Sequence, residues 1–319
     1  MQALTRRSLL LGAIAAPLSA HAQGWPSTIK IVVPYPPAGS TDVIARLVQP
    51  ELQRRLGTTV IIENRPGASG SIGTGAVAKS PPDGSTWLIV FDNHAANPFI
   101  MNLPFDTEKD LDPVLFIGTA PYVVSTNPQK PFKTLADIIA AAKAKPDTVS
   151  YGSVGSGSVG HLAMALLSKQ AGVRLVHVPY RGGGPAMNDA IAGHVDLLVG
   201  STALSIPQIQ AGAIRAVVQT GKTRTPALAD IPTVSESFPN FTAYAWWGVF
   251  APAGTPAAMV ARFNAELTAI IREQRVASQL TESQQITLAL SGPQQLGTFL
   301  SGEMKVWGAV AREFGIKGE

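Results

Sequence analysis

Short, β-branched apolar runs alternate along this chain with longer segments in which apolar residues recur at helical spacing. Residues 29–33 (IKIVV) are typical of a strand buried in a parallel sheet, and residues 43–56 place Ile44, Leu47 and other apolar side chains on one side of a helix. Strand-like runs recur at 60–62, 87–91, 114–117, 122–125, 149–151, 175–178, 197–199, 213–219 and 247–251. Helix-like segments recur at 72–79, 134–144, 160–171, 185–192, 204–210, 256–272 and 293–314. This alternation predicts an α/β fold with mixed, mostly parallel sheets.

Two proline-containing segments predict a division into two lobes. Residues 127–133 change the direction of the chain after a strand, and residues 239–255 surround a single strand. If both segments are crossovers, residues 23–126 and 245–319 form the first lobe and residues 127–244 form the second. A chain of 319 residues is long enough for two domains.

The beginning of the chain has the pattern of a secretory signal peptide, residues 1–22. Arg6 and Arg7 precede a short apolar run, and Ala20-His21-Ala22 is an A-x-A-type cleavage site. The apolar run is shorter than the roughly 20 residues that span a bilayer. We therefore predict an exported protein that is not anchored to the membrane, with the Sec or the twin-arginine pathway as its route. The chain has no cysteine, so the mature fold contains no disulfide and no lipid-modified cysteine.

Charge and hydropathy argue against several classes of partner. The formal net charge is +4, only 14% of the residues are charged, and no basic run or stripe forms the footprint that nucleic acid requires. After the signal, no apolar stretch approaches membrane-spanning length. We expect no nucleic-acid partner, no membrane insertion of the mature protein, and a monomer.

Three loops rich in glycine, serine and threonine each connect the end of a predicted strand to the start of a predicted helix. They are residues 34–42, 152–161 and 180–185. In open α/β sheets ligands bind beyond the carboxyl ends of the strands, and the free N–H groups at a helix start favour anions. The loops therefore predict a pocket for a carboxylate or another small anion. The alternative interpretation is three ordinary turns with capping residues, such as Thr41 and Asp42 before the first helix.

A dinucleotide site is a second alternative, because Gly155, Gly157 and Gly160 match G-x-G-x-x-G after a strand. The acid that binds the ribose should follow the next strand, at 175–178. That strand is followed by Pro-Tyr-Arg at 179–181, with no acid. We expect no cofactor, although an exported dinucleotide-binding enzyme remains an alternative.

The sequence contains no recognisable catalytic constellation. There is no G-x-S-x-G nucleophile elbow and no cysteine nucleophile. Ser153, Ser156 and Ser158 lie near His161 in the sequence, but a triad needs an acid that orients the base. The histidines do not have metal-ligand spacing. We predict a protein that is not an enzyme and holds no metal, in which His161 is either a capping or ligand-contacting residue or an ordinary packed histidine.

Eight short motifs follow one another along the mature chain. They are 34–42 (PYPPAGSTD), 63–70 (ENRPGASG), 82–84 (PDG), 151–153 (YGS), 178–182 (VPYRG), 211–216 (AGAIRA), 230–234 (DIPTV) and 251–256 (APAGTP). In these motifs and their order the chain resembles the Bug family, the periplasmic solute receptors of tripartite tricarboxylate transporters. The resemblance implies a two-lobed, type II periplasmic binding protein (a Venus flytrap) that closes on a small carboxylated metabolite in the cleft. Its partners would be the membrane subunits of the transporter, or, alternatively, a periplasmic signalling protein if the chain is an orphan sensor.

The resemblance also implies the ligand-binding residues, because loops from both lobes of Bug proteins grip a carboxylate of the ligand. The implied ligand contacts are Tyr35, Ala38, Gly39, Ser40, Thr41, Asp42, Asp92, Asn93, Ser153, Gly155, Ser156, Gly157, Ser158, His161, Tyr180 and Ser201. Most members carry glycine in place of Ala38, a change that should leave an amide donor there. Unless Asp42 or Asp92 points inward, no acid is available for a ligand ammonium. A carboxylate without an amine is therefore expected, such as a di- or tricarboxylate or an aromatic acid.

Overall fold

The computed structural model describes residues 24–318, so the predicted signal peptide lies outside the described residues. The strands are β1 (Thr28–Val33), β2 (Thr59–Asn64), β3 (Thr86–Phe91), β4 (Leu111–Thr126), β5 (Ser150–Ser153), β6 (Val176–Pro179), β7 (Leu197–Ser201), β8 (Arg215–Gln219), β9 (Tyr244–Pro252) and β10 (Thr287–Ser291). The helices are α1 (Ser40–Leu56), α2 (Ser71–Ala78), α3 (Asn93–Ile100), α4 (Leu135–Ala144), α5 (Val159–Ala171), α6 (Gly183–Ala192), α7 (Thr202–Gln210), α8 (Ala257–Ile271), α9 (Gln274–Ser278) and α10 (Pro293–Glu313). The predicted α/β fold is confirmed. None of the helices within residues 24–318 is both long and apolar enough to cross a membrane.

The strands form two groups that share β4, and these groups are the sheets of the two lobes. In the first group the order is β2-β1-β3-β9-β4, with β10 also paired to β4. Here β1 is parallel to β2 and β3, whereas β9 is antiparallel to β3 and β4. In the second group β5 is parallel to β6 and β7, whereas β7 and β8 are antiparallel to β4. The sheets are thus mixed, as predicted, but not mostly parallel: of the nine strand pairs in the described residues, four at β1 and β5 are parallel and five around β4 and β9 are antiparallel.

Strand β4 runs through both lobes. Residues 111–121 pair with β9, and residues 122–125 pair with β7. The sequence predicts two separate strands here, at 114–117 and 122–125. Between them lie Gly118 and Pro121, residue types that usually weaken or interrupt a strand. That prediction is wrong, since pairing with β9 carries a single strand through both residues. The predicted lobe boundary at residue 127 directly follows the end of β4, and the boundaries stay a prediction.

Aromatic packing connects the core of the first lobe to the cleft. Trp87 on β3 is fully buried and stacks on Phe263 of α8, with ring centroids 3.7 Å apart and planes within 6°. Phe91, at the end of β3, packs against Trp247 at 5.4 Å and edge-to-face against Tyr35 at 6.3 Å. The position of Tyr35, the first aromatic residue of the loop after β1, is therefore fixed by the core behind it.

The sequence does not predict α3 or β10. Helix α3 has only eight residues and contains Pro98, and three of its buried residues, Asn93, His94 and Asn97, are polar, so it does not have the long apolar face by which the other helices are predicted. Its buried asparagines instead hydrogen-bond to the turn at 68–70 in front of the helix. Helix α3 is therefore part of the framework of the cleft.

Candidate functional site

Two adjoining cavities lie at the carboxyl ends of the strands, where the loops of the two lobes meet. The main cavity has a volume of about 430 Å³ and the side cavity about 30 Å³. Tyr35, Val154 and Gly182 line both cavities. This is the edge at which open α/β sheets bind ligands, and the main cavity has the size of a small-molecule site.

A larger hollow of about 830 Å³ lies near the amino ends of β1 and β2, around Trp25 and Thr59. It is wide, and it is lined by residues at the start of the described part of the chain and at the junction of α1 and β2. Because none of the strand-to-helix loops reaches it, we place the candidate site in the main and side cavities.

The two lobes touch across the main cavity. The hydroxyl of Ser69, in the first lobe, donates to the backbone oxygen of Ser156, in the second, at 2.8 Å. Gly182 lies against Pro36 of the opposite lobe so closely that an added Cβ would be 2.9 Å from Pro36 Cδ. Gly182 also has a φ of 121°, a region that favours glycine. The described conformation is therefore closed.

A turn at 66–70 forms one wall of the main cavity. Ala68 and Ser69 have φ of 43° and 50°, in the left-handed region. The Ser69 carbonyl accepts hydrogen bonds from the side-chain amides of Asn93 and Asn97, the latter at 3.0 Å. Asn93 Oδ1 in turn accepts from the Tyr35 hydroxyl at 2.6 Å. Asn93 thus lies behind the wall and holds two cavity-lining residues in place.

The start of α1 is built differently from the sequence prediction. Gly39 is the residue before the helix, and neither Thr41 nor Asp42 caps it with a side chain. The Asp42 carboxylate instead accepts from the Ala38 N–H at 3.0 Å and from the Asn64 amide at 2.9 Å, and it pairs with Arg46. Burial disfavours the charged form, but these hydrogen bonds outweigh it and lower the pKa of Asp42. The prediction that Thr41 or Asp42 caps the helix is therefore wrong, and the Ala38 amide is a donor, as predicted, but to Asp42 in this conformation.

The loop after β5 is held from behind by a pair of stacked histidines, of which His161 is buried and His177 is half-buried. His161 and His177 stack with ring centroids 3.6 Å apart. His161 Nδ1 accepts from the Gly157 N–H at 3.1 Å, and His177 Nε2 lies 2.7 Å from Ser153 Oγ. Ser158 caps α5 by accepting from the His161 N–H at 3.3 Å. These residues shape the loop that presents Gly155 and Ser156 to the cavity.

Asp92 is fully buried at the junction of the two lobes. One carboxylate oxygen accepts from the Val159 N–H, at the start of α5, at 3.2 Å, and the other accepts from the Tyr122 hydroxyl on β4. Burial raises the pKa of Asp92 to about 8, although these hydrogen bonds oppose the shift. Neither Asp42 nor Asp92 lines a cavity, so neither is placed to bind a ligand ammonium.

The structure brings half of the predicted site residues to the cavities. The predicted residues that line a cavity are Tyr35, Gly39, Ser40, Thr41, Gly155, Ser156, Tyr180 and Ser201. Those that do not line a cavity are the exposed Ala38 and seven buried residues: Asp42, Asp92, Asn93, Ser153, Gly157, Ser158 and His161. As ligand contacts, the cavity-lining residues stay predictions.

Sequence reasoning missed two parts of the lining. The first is the wall from Pro66 to Ile72, and the second is Arg181, next to Gly182. Both lie within or beside glycine-rich motifs of the sequence, 63–70 and 178–182. For Arg181 the signal was present, because the residue lies in the strand-to-helix loop 180–185. For the segment 66–72 the strand-to-helix position marks a loop but does not show the conformation that makes it a wall.

The lining is suited to a small anion. Three helices begin at the side cavity: α1 with Gly39, Ser40 and Thr41, α6 with Gly182 and Gly183, and α7 with Ser201. The first N–H groups of a helix lack partners within the helix and carry partial positive charge. Arg181 lines the main cavity, and none of the described residues that line either cavity is acidic. The cleft therefore combines one cationic side chain with the positive ends of three helices and no negative side chain in its described lining.

A two-lobed α/β fold with such a cleft is the architecture of a periplasmic binding protein. The family model of the tripartite tricarboxylate transporter family receptor matches residues 44–316. The chain is 34% identical to BugT of Bordetella pertussis over 312 residues, 95% of this chain and 94% of BugT. It is 36% identical over 286 residues to the UPF0065 protein in the tcbD-tcbE intergenic region of Pseudomonas sp. strain P51, covering 89% of this chain and 85% of that protein. The chain belongs to the tripartite tricarboxylate transporter receptor family, and the resemblance to Bug proteins is confirmed.

Solved structures give the same assignment of the fold. The chain superposes on R. palustris Rpa4515 with adipate at a TM-score of 0.87 and 32% identity, covering 92% of this chain and 99% of that one. It superposes on MatC of Rhodopseudomonas palustris with bound malate at a TM-score of 0.83 and 30% identity, covering 89% and 98%. Both of these similar proteins hold a small carboxylate.

Proposed function

We propose that the protein is a periplasmic receptor that binds a small carboxylate in the main and side cavities and delivers it to the membrane subunits of a tripartite tricarboxylate transporter. In this proposal it is exported by its signal peptide and acts as a monomer. The observation that carries the proposal is the convergence of three helix starts on a cleft whose lining has no acidic residue. This environment favours a carboxylate and disfavours an ammonium group.

Binding would proceed by closure of the lobes around the carboxylate. In the closed form the Ser69–Ser156 hydrogen bond and the Pro36–Gly182 contact join the loops across the cleft. Closure removes water, which strengthens hydrogen bonds from the helix starts to a carboxylate. The movement would bend the segments that connect the lobes, including β4, and the closed form would be the one that the membrane subunits recognise.

The proposal predicts that small carboxylates stabilise the mature chain, and a thermal-shift screen with calorimetry tests it. A ligand that binds only the folded state adds about 2.7 kcal/mol at about 100 times its Kd, which corresponds to a shift of about 5 °C for a chain of this size. The protein is first unfolded, washed and refolded, so that a ligand carried over from the host is removed. The panel contains mono-, di- and tricarboxylates and, as matched controls, their neutral amides and amino-acid analogues. Equal binding of acids and amides, or binding of a nicotinamide dinucleotide alone, would contradict the proposal.

Replacement of Arg181 by glutamine is expected to weaken binding of a dicarboxylate such as adipate about tenfold. Charge-assisted hydrogen bonds contribute about 1.5–3 kcal/mol, and the exposure of Arg181 reduces the expected loss to the lower end of that range. Calorimetry at constant ionic strength measures the change. Arg174→Gln is the matched control, because Arg174 is an exposed arginine in the second lobe that pairs with Asp147 and does not line the cavities. If both variants lose affinity equally, Arg181 acts only through net charge.

A further inference from the structure

One peptide group joins a buried histidine to the contact between the lobes. The carbonyl of Ser156 and the N–H of Gly157 belong to the same peptide group. The carbonyl oxygen accepts from Ser69 Oγ at 2.8 Å across the cleft, and the N–H donates to His161 Nδ1 at 3.1 Å. The orientation of this peptide group therefore depends on a partner at each of its ends, one in each lobe.

The hydrogen bond from Gly157 requires a neutral His161. A neutral imidazole has one acceptor nitrogen, whereas an imidazolium has none. Protonation of His161 at Nδ1 places two N–H donors against each other at a site that is only 9% exposed. The Gly157 N–H then loses its partner, and the least costly way to relieve this is to turn the peptide group.

The neighbouring ring of His177 adds to the cost of a charge. The two imidazoles stack at 3.6 Å with planes within 13°, and Tyr151 packs on His177 at 5.0 Å. Burial lowers the pKa of His161 to about 4. Burial, together with the neighbouring His161, lowers the pKa of His177 to about 3. Two charged rings at this distance would repel each other, so the closed form excludes the proton.

The surrounding elements place no acidic side chain where it would stabilise an imidazolium. The other titratable groups on the elements packed around the pair are Tyr151 on β5, Asp92 after β3, Tyr122 on β4, Tyr180 after β6, Asp189 on α6, Lys169 on α5, Tyr244 on β9, and Glu303, Lys305, Arg312 and Glu313 on α10. Within residues 24–318, none of them is hydrogen-bonded to either imidazole. Asp92 is instead bonded to Tyr122 and to the Val159 N–H.

We propose that His161 is a proton switch for the closure of the cleft. When its imidazole takes up a proton, the 156–157 peptide group turns, the contact with Ser69 breaks, and the site releases its carboxylate. The direction follows from linkage: because the closed form excludes the proton and the open form admits it, acid favours the open form. The release of a carboxylate rests on the proposed function, whereas the coupling of His161 to Ser69 does not.

The coupling is tested by a nitrogen-15 NMR titration of the histidines in the ligand-free mature chain. Since coupling is reciprocal, Ser69→Ala should raise the pKa of His161 toward its usual value, by about half a unit or more. Ser80→Ala is the matched control, because Ser80 Oγ also donates to a backbone oxygen, that of Ala76 at 2.9 Å, but does not line the cavities. His161 in Ser80→Ala should titrate as it does in the wild type. Identical titration of His161 in the wild type and in Ser69→Ala would overturn the switch.

The consequence for binding is tested with adipate as the probe. The Kd of the wild type should rise by up to about thirtyfold between about pH 7.5 and pH 5. His161→Asn supplies a side-chain oxygen as an acceptor that does not titrate, so its Kd should change much less. Comparison of the two proteins at each pH cancels the ionisation of adipate itself. His194→Asn, which replaces a surface histidine, should keep the wild-type pH dependence.

Parallel pH profiles of wild type and His161→Asn would overturn the proton switch even if adipate binds well. If adipate does not bind at about pH 7.5, the proposed function fails for this probe, and the NMR titration still decides the coupling. The two failures are therefore distinguishable.

Discussion

Replacement of Gly182 by alanine should weaken carboxylate binding roughly tenfold to a hundredfold while the protein remains folded. The added Cβ would lie 2.9 Å from Pro36 Cδ. Overpacking of this kind costs about 1–3 kcal/mol, and about 1.4 kcal/mol corresponds to a factor of ten in affinity. Because Gly182 and Pro36 lie on opposite lobes, the clash exists only in the closed form. Calorimetry measures the affinity, and circular dichroism checks that the fold is kept.

A double variant separates this clash from backbone strain. Gly182 has a φ of 121°, so an alanine there is strained whether or not the lobes close. Pro36→Ala removes the atoms that the new Cβ would meet, and it should restore most of the affinity when it is combined with Gly182→Ala. Gly172→Ala, at a φ of 63° with no atom within 4 Å of the added Cβ, should bind like the wild type. A double variant that binds as weakly as Gly182→Ala would show that strain, not blocked closure, causes the loss.

The loops of the site could be predicted from the sequence because their signal is local. A β-branched run followed by glycine, serine or threonine and then by helical periodicity places Gly39, Ser40 and Ser201 at helix starts. The topology of α/β sheets then brings such loops to one edge. No long-range information is needed for this step, and these residues do line the side cavity.

The wall at 66–70 could not be predicted, because it depends on residues that are distant in the sequence. Ser69 is held by Asn93 and Asn97, which lie 24 and 28 positions away on a helix that the sequence does not predict. The left-handed φ of Ala68 and Ser69 has no marker in these residue types, since left-handed turns usually contain glycine or asparagine. Only the packed structure shows this wall.

The orientation of the acidic side chains could not be predicted from the sequence either. Asp42 and Asp92 each lie next to a cavity-lining segment, yet both carboxylates turn into the protein. Asp42 accepts a hydrogen bond from Asn64 on β2, and Asp92 accepts one from Tyr122 on β4, so these partners orient both carboxyl groups toward the interior. Spacing along the chain identifies where an acid lies, whereas its partners on other strands decide where it points.

Asp92→Asn should remove the part of the pH dependence of the unfolding free energy that Asp92 causes. Burial raises the pKa of Asp92 to about 8, from an unfolded value of 3.8. A carboxyl whose folded pKa is raised contributes stability that is fully present below the unfolded pKa and is lost as the pH rises through the folded pKa. For Asp92 this loss runs from about pH 4 to about pH 8 and amounts to about 6 kcal/mol, at about 1.4 kcal/mol per unit. An asparagine does not titrate, so the variant should gain stability relative to the wild type as the pH rises through this window.

Urea unfolding of both proteins over this pH range measures the difference. The pH dependence that His94, His161 and His177 contribute has the opposite sign. Their folded pKa values are lowered, so the stability that they contribute is lost as the pH falls below about 6.5. Both proteins carry the same histidines, so that contribution cancels in the comparison. Asp189→Asn is the control, and its stability relative to the wild type should change with pH in the opposite direction. The reason is that hydrogen bonds from Tyr180 and His194 lower the pKa of Asp189, whereas the pKa of Asp92 is raised. Parallel stability profiles for the wild type and Asp92→Asn would show that Asp92 is ionised at neutral pH.

The protonation state of Asp92 also matters for the opening of the cleft, because Asp92 and His161 hold the same loop from two sides. Asp92 accepts from the Val159 N–H, and His161 accepts from the Gly157 N–H two residues earlier. Of these two acceptors, the histidine is lost on protonation, whereas the carboxyl retains acceptor capacity when it is protonated. Acid should therefore release the Gly157 end of the loop while the Val159 end stays attached to the first lobe. The loop would then pivot at the start of α5, which is the movement that separates Ser156 from Ser69.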